Sequence, residues 1–295
     1  MDFGGMTGEE KSEIYGSMPT ECYPRTMVVD AKTKSELDQK AEVIGFPLIA
    51  KPNVGERGRK VEVIRTPEEL HAYAGQMHVD FLLQELVNYP MELGIFYIRK
   101  PNEDRGKITS IVMKKFLSVK GDGKQTVKSL LEDDTRARLQ LDVKHPRFQH
   151  VLHRIPEKGE EVIVESIGNH CRGTMFLDVT NEVDPALTAS FDALAKQIDG
   201  FYYGRFDLRC ASFDDLRKLQ NYKIVELNGV GAEPGHIYQP GFSLWKAYGI
   251  VMWHFSQMAE IARQNKKRGI SYWTFRRGIK KMLDIRAYNR RLNTA

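Results

Sequence analysis

The spacing of apolar and polar positions changes repeatedly along this 295-residue chain, and each change predicts an element. A short helix is predicted over 9–16 with Thr7 as its N-cap, then a β-branched strand over 25–30. A polar helix over 35–44 is stopped by Gly45. An apolar strand over 47–51 is halted by Pro52, and a glycine-bearing loop over 53–59 leads to a strand over 61–65. Thr66-Pro67-Glu68-Glu69 opens a helix in N-cap and N1 style, and 81–87 is a strongly apolar strand. Strands over 93–99 and 108–117 read as an antiparallel hairpin with a polar link containing Gly106. A turn at 121–123, a polar helix over 127–141 and a charged irregular stretch over 144–159 come next. Strands follow near 161–166 and 175–179, and Leu187, Phe191, Leu194 and Ile198 fall at helical spacing. Strands over 201–209 and 223–228 flank a polar connection, and a long helix spans 244–265. The order shows no internal repeat.

This order predicts an α+β chain of two αβ lobes meeting near 84–89, the second built mainly on an antiparallel sheet. The expected divisions are an N-terminal helical segment (1–20), a small lobe (21–86), a large lobe (87–264) with a polar insertion at about 119–160, and a tail (265–295). Hydrophobic residues at 41% and charged residues at 28% exclude a disordered or collagen-like chain. No apolar run is long enough for a membrane-spanning helix. Residues 1–10 lack the basic and apolar regions of a signal peptide, and Cys22, Cys171 and Cys210 form no Cys-x-x-Cys pair. A reducing cytoplasm is therefore expected. The net charge of +5 is unevenly placed: the tail carries ten Lys and Arg against Asp284, leaving residues 1–264 at −4. A body of that charge is not expected to bind nucleic acid specifically.

The late strands carry the strongest chemical signal. Alternation places Arg205, Asp207 and Arg209 on one face, opposite Phe206, Leu208 and Cys210. In the next strand Glu226 and Asn228 share a face, with Val225 and Leu227 opposed. Asp207, Glu226 and Asn228 are hard oxygen donors suited to Mg²⁺, and the neighbouring arginines can grip phosphate. A solvated strand face laced with salt bridges is the plain alternative, against which Gly229-Val230-Gly231 argues for close ligand approach. Lys51 ends an apolar strand, where it either snorkels to solvent or meets an anion. Gly55 and Gly58 can fold backbone over phosphates, although no Walker A loop is present. Residues 82–87 can offer backbone to a purine edge and Glu92 can hold ribose; an interlobe crossover with surface acids is the plain reading there.

Together, Phe46-Pro-Leu-Ile-Ala-Lys51-Pro52, Gln84-Glu85-Leu86-Val87 with Glu92, Gly204-Arg205-Phe206-Asp207 and Val225-Glu226-Leu227-Asn228-Gly229 resemble the ATP-grasp superfamily. The resemblance is nearest to its carboxylate–amine ligases, such as D-alanine–D-alanine ligase and cyanophycin synthetase, and covers residues 20–262. It implies an ATP-grasp fold with Mg·ATP between the lobes. Lys51 and a lysine of the hairpin would touch phosphates: Lys114, on an apolar face with Val112 and Phe116, with Lys115 as its competitor. The resemblance further implies Glu85 and the Leu86–Val87 backbone at adenine, Glu92 at ribose, Asp207, Glu226 and Asn228 at Mg²⁺, and Arg205 at the transferring phosphoryl. The implied reaction joins a small amino acid or related carboxylate to an amine through an acyl phosphate. A small-molecule kinase, or a non-catalytic nucleotide-binding module recruited to membrane, would use the same ATP site. Such ligases carry a further N-terminal αβ domain, whereas the segment ahead of the resembling region here is too short for one.

On the substrate side, Arg172 can hold a carboxylate and His236 can accept the amine's proton, with His170 and Glu233 in similar polar loops. Loop packing is the plain alternative for each. Among His145, His150 and His153 a His-x-x-His metal pair is the alternative, but without neighbouring Cys or acidic ligands they read as ordinary polar residues. In the tail, Tyr272, Phe275, Ile279, Met282 and Leu283 line one helix face among Arg and Lys. Both an interfacial helix at the inner face of an anionic membrane and a helix docked on its own domain satisfy that pattern.

Overall fold

The computed structural model describes residues 2–55, 58–134, 137–138, 149–165 and 174–293. Its strands are β1 (Thr26–Val29), β2 (Leu48–Pro52), β3 (Glu62–Ile64), β4 (Phe81–Glu85), β5 (Met91–Ile98), β6 (Lys107–Lys115), β7 (Leu117–Lys120), β8 (Glu161–Glu165), β9 (Met175–Asp178), β10 (Tyr203–Cys210) and β11 (Tyr222–Asn228). Its α-helices are α1 (Lys11–Gly16), α2 (Leu37–Ile44), α3 (Pro67–Gln76), α4 (Val127–Asp133), α5 (Gln149–Leu152), α6 (Pro185–Lys196), α7 (Phe213–Arg217), α8 (Leu244–Lys267) and α9 (Phe275–Asn293).

Two larger antiparallel sheets dominate. The first runs β1-β4-β2-β3 and the second β11-β10-β5-β6-β9. The first sheet packs Leu48, Ala50, Phe81 and Leu83 against Leu37 and Ala41 of α2 and Leu70, Tyr73 and Ala74 of α3. Helix α2 stops where expected, at Gly45 with φ 87, a backbone that glycine alone adopts freely. Helix α3 starts as its sequence dictates, with Pro67 in the first turn and Thr66 Oγ1 accepting from the Glu69 N–H.

The second sheet is covered on both faces. Leu93, Ile95 and Tyr97 of β5 pack with Phe206 and Leu208 of β10 and with Leu187, Phe191 and Leu194 of α6. On the other face, Phe96, Ile98 and Tyr203 pack with Ile261 of α8. That apolar cover occupies only the Ile98–Tyr203 end. Continuing along the same face, β5 presents Gly94 and Glu92, and β10 presents Arg205, Asp207 and Arg209.

Several expectations are corrected. The first helix begins at Lys11, and Thr7 is not its cap; Glu10 stands there without capping the helix, its carboxylate accepting from Asn53 Nδ2 at 3.2 Å. Its first N–H groups are satisfied across the chain: Lys11 N donates to Asn53 O (2.9 Å) and Ser12 N to Asn53 Oδ1 (3.0 Å). The helix predicted over 127–141 ends at Asp133, and residues 139–141 lie outside the described ones. The strand expected near 161–166 is β8; it pairs across the base of the polar insertion with β7, a separate strand that was not predicted, over a small core of Leu117, Val119, Val127, Leu131 and Val162. β2 stops at Pro52 as expected, with Pro52 itself its last residue, in register with Phe81.

The tail helix α9 docks. Leu292 is buried in the first sheet's core, Tyr288 Oη accepts from Val54 N (3.3 Å), and Ile285 lies against Gly8. Phe275, Ile279, Met282 and Leu283 stay exposed. No helix among the described residues is long and apolar enough to cross a membrane.

Candidate active site

Four neighbouring strands place polar side chains on one face. Asp207 of β10 stands directly opposite Glu226 of β11 on one side and Gly94 of β5 on the other. Arg205 stands opposite Asn228, and Arg209 opposite Glu92. The expected alternation in β10 holds: Phe206, Leu208 and Cys210 are fully buried in the core.

Strand β11 does not keep one parity. Its register shifts between its pairings with Asp207 and Leu208, so Val225 is an extra residue. Before the bulge, Tyr222 and Ile224 face the core; after it, Glu226 and Asn228 face the site. Strict alternation would have put Ile224 and Glu226 on the same side. The Val225 carbonyl, on this edge strand, accepts from Lys51 Nζ and Tyr15 Oη.

Asp207 is buried and accepts from Arg205 through both oxygens, Nε to Oδ1 at 2.6 Å and Nη2 to Oδ2 at 3.0 Å. Lys114 Nζ lies 3.4 Å from Asp207 Oδ2 and 3.1 Å from Glu92 Oε1. Glu92 in turn meets Arg209 Nε at 3.1 Å, and Arg209 Nη1 donates to Val87 O at 2.7 Å. Burial opposes the charge on Asp207, but Arg205 and then Lys114 overcome it and hold the carboxyl below its ordinary value. Burial likewise opposes the charge on Lys114; Asp207 and then Glu92 reverse that and raise its pKa. Gly94 leaves room for this pairing: a Cβ there would lie 3.2 Å from both Arg205 Cδ and Asp207 Oδ1 and would crowd them by a few tenths of an ångström.

The first sheet contributes Lys51, near the end of β2. Its buried ammonium donates to Tyr15 Oη (2.9 Å), Gln84 Oε1 (2.8 Å) and Val225 O (3.2 Å). Tyr15 Oη itself donates to Val225 O, and burial keeps the phenol protonated by raising its pKa. Burial lowers the Lys51 pKa to about 8, with Glu226 opposing the shift. Lys51 therefore ties the first sheet to β11 of the second.

The other expected positions are more scattered. Glu85 is exposed, and Oε2 accepts from Arg25 N. The Val87 carbonyl is engaged by Arg209 rather than open to a base edge. Glu92 is buried and paired with two cations, Lys114 and Arg209. Gly55 O accepts from Lys11 Nζ (2.6 Å), and Gly58 has φ 67 at the far side of residues 56–57, which are not described. His236 packs its ring against Phe242, with Nδ1 buried and unpaired, and burial lowers its pKa against the pull of Asp178. Its loop is tied to the cluster through Arg205 Nη1, which donates to Glu233 O at 2.9 Å. Arg172 and His170 lie outside the described residues.

Two site neighbours were not singled out from sequence, Tyr15 and Lys11. Both belong to α1, and Lys11 Nζ lies 3.8 Å from Glu226 Oε1. The chain ahead of α1 reaches the glycine loop after β11, where Val230 N and Gly231 N donate to Gly4 O and Gly5 O, both at 2.9 Å. No local pattern signals this contact. The glycines are required by it: a Cβ on Gly229 would sit 2.4 Å from Gly4 O.

Asp207, Glu226 and Asn228 are donors of the kind a hard divalent cation takes: two carboxylates facing each other across a strand pair and an amide oxygen beside them. A cation there would share Asp207 with Arg205 and Lys114, which now hold its two oxygens. Among the described residues no group of three His, Cys, Asp or Glu could hold a metal, so the remaining ligands at this site would be oxygens of substrate and water.

No protein-family model and no curated protein matches the chain. Solved structures with a similar backbone include D-alanine–D-alanine ligase from Bacillus anthracis, at 12% identity and TM-score 0.47 over 88% of this chain and 71% of that one. They also include a bifunctional glutathione synthetase from Pasteurella multocida, at 14% identity and TM-score 0.41 over 87% of this chain and 38% of that one. A third is the ATP-grasp ligase PsnB complexed with minimal precursor, at 13% identity and TM-score 0.41 over 80% of this chain and 55% of that one.

Proposed function

We propose that the chain is an ATP- and Mg²⁺-dependent carboxylate–amine ligase of the ATP-grasp type, acting on a small amino acid or related carboxylate. The observation that carries this reading is the single polar face on which Lys114, Arg205 and Arg209 converge with Asp207, Glu92, Glu226 and Asn228, and which Lys51 reaches from the other sheet. The ordered motifs at Lys51, Glu85–Glu92, Arg205–Asp207 and Glu226–Asn228 support it independently.

In this reading Asp207, Glu226 and Asn228 hold Mg²⁺, which supplies charge neutralisation at the phosphates. Lys51 and Lys114 offer fixed ammonium groups to phosphate oxygens. Arg205, held by Asp207, presents a preorganised guanidinium to the phosphoryl in transfer. A substrate carboxylate attacks that γ-phosphoryl, its bond to the β-phosphate oxygen breaks and ADP leaves; an amine then displaces phosphate from the acyl phosphate and forms the amide. His236, kept neutral at pH 7 by burial, serves as acceptor for the amine's proton. Glu85, Leu86 and Val87 border the purine and Glu92 the ribose, which requires Arg209 to release Val87 O. The two-lobe division at about residue 86 belongs to the same proposal.

Full-length protein incubated with Mg·ATP and mixed amino acids is expected to release ADP and to yield an amide detectable by mass spectrometry. ADP release with a phosphorylated product and no amide would assign a kinase instead. ATP binding without turnover in any mixture would assign a non-catalytic module.

Lys51 gives this reading a pH signature. Its ammonium is charged below about pH 8 and neutral above. The rise in Tm produced by ATP is therefore expected to be full at pH 7 and to shrink as pH passes through about 8. In Lys51→Met the ATP-dependent shift should be smaller and show no such decline. An identical profile in both proteins would remove Lys51 from the phosphate site.

A further inference from the structure

We propose that the exposed apolar stripe of α8 and the outer face of α9 form a docking surface for an anionic lipid bilayer. Helix α8 has two faces of different character. His254 and Ile261 are buried against the sheet. Leu244, Trp245, Tyr248, Met252 and Phe255 recur at helical spacing on another face, and all are exposed, Trp245 at 83%.

Helix α9 repeats the arrangement. Ile285, Tyr288 and Leu292 form its docked side, as described above. Phe275, Ile279, Met282 and Leu283 lie on a different side of the helix and remain exposed, Phe275 at 85%. Docking on the protein thus uses one face of α9 and leaves the second apolar face uncovered. Each helix thus carries a row of large exposed apolar side chains, a kind of surface that marks an interaction site.

Charge selects the occupant. From residue 244 to the end there are twelve Lys and Arg against two acids, Glu260 and Asp284. Glu260 is already engaged by Arg263 and Gln264. Arg276, Arg286 and Arg290 flank the exposed apolar face of α9 and are exposed themselves. Aromatic and aliphatic side chains edged by arginine match the boundary between headgroups and acyl chains of an anionic leaflet. A second copy would bring the same cations against each other across a two-fold interface.

The test uses full-length protein and vesicles of pure phosphatidylcholine or of phosphatidylcholine with phosphatidylglycerol. Wild type is expected to co-sediment with the anionic vesicles at low salt and not with the neutral ones. Its tryptophan emission should be quenched by brominated lipid, which reads insertion without any substitution. Replacing Arg276, Lys280 and Arg290 by Gln should lower partitioning roughly 100-fold. Trp245→Ser with Phe275→Ser should lower it at least about 10-fold and remove most of the quenching. Because all five side chains are exposed, Tm should stay within about 1 °C of wild type. Failure of wild type to bind anionic vesicles overturns the proposal. So does binding that Trp245→Ser with Phe275→Ser leaves unchanged, or a wild-type dimer in sedimentation equilibrium that these substitutions dissociate.

Discussion

Asp207→Asn is expected to destabilise the protein by about 3–5 kcal/mol in urea unfolding at pH 7. The carboxylate is buried and faces two cations, Arg205 in a bidentate pair and Lys114 beyond it. An amide of the same shape leaves both positive charges in place without their counter-charge. Glu92 still serves Lys114, but Arg205 has only the Glu233 carbonyl. The pH dependence has a definite sign. Arg205 and Lys114 depress the Asp207 pKa, so its stabilisation is fully present above the unfolded aspartate value of about 3.9 and is lost as pH falls through the lower folded value. The gap between variant and wild type should therefore be constant from about pH 5 to 8 and close only under stronger acid. A gap under about 1 kcal/mol at pH 7 would mean that the cluster is solvated and the ion pairs contribute little.

Glu226→Gln should behave in the opposite way. Its side chain is 37% exposed, and its nearest cation, Lys11, lies 3.8 Å away. The fold should be nearly unaffected, within about 0.5 kcal/mol. What should disappear is the response to Mg·ATP. Wild type at 100 times Kd should gain about 2.7 kcal/mol, a rise in Tm on the order of 5 °C. Glu226→Gln removes one negative charge from a proposed site with two, so it should lose most of that rise when Mg²⁺ is present and change little when it is absent. Turnover, measured as ADP release, should fall by at least about 1000-fold. Unchanged turnover in the variant would take Glu226 out of the metal site. The two variants thus separate a residue the fold depends on from one that only the ligand depends on.

The legibility of the site in the sequence differs from residue to residue. Arg205, Asp207 and Arg209 could be placed together because period-2 alternation governs a strand buried on its Phe206–Leu208 face. Lys114 could be preferred over Lys115 for the same reason, and it is the buried one, with 8% of its side chain exposed. Glu226 and Asn228 were read correctly as sharing a face, yet the sequence does not mark the bulge at Val225 that lets Tyr222 and Ile224 turn into the core ahead of them. Glu92 looked like a free acid in a connector; only the register β10–β5–β6 shows that it is enclosed by Arg209 and Lys114. The tail offered two readings from one helical pattern. The structure gives docking to Ile285, Tyr288 and Leu292 and leaves Phe275 to Leu283 uncovered.

By itself, the sequence determined whatever is written in short periods and local chemistry: the placement of most strands and helices, the Gly45 stop, the Thr66 cap and the charged face of β10. These depend on side-chain direction and backbone preference within a few residues. The tertiary structure alone decided what depends on contacts distant in the chain. Tyr15 closes over Lys51, Asn53 caps α1, Gly4 and Gly5 bond to the loop after β11, and Leu292 completes the core of a sheet that ends at Glu85. Such partners are separated by tens to hundreds of residues, and no local spacing encodes which of them will meet. Burial then sets the chemistry, because the same lysine that would be an ordinary cation in solvent becomes, at Lys51, a group that titrates near pH 8.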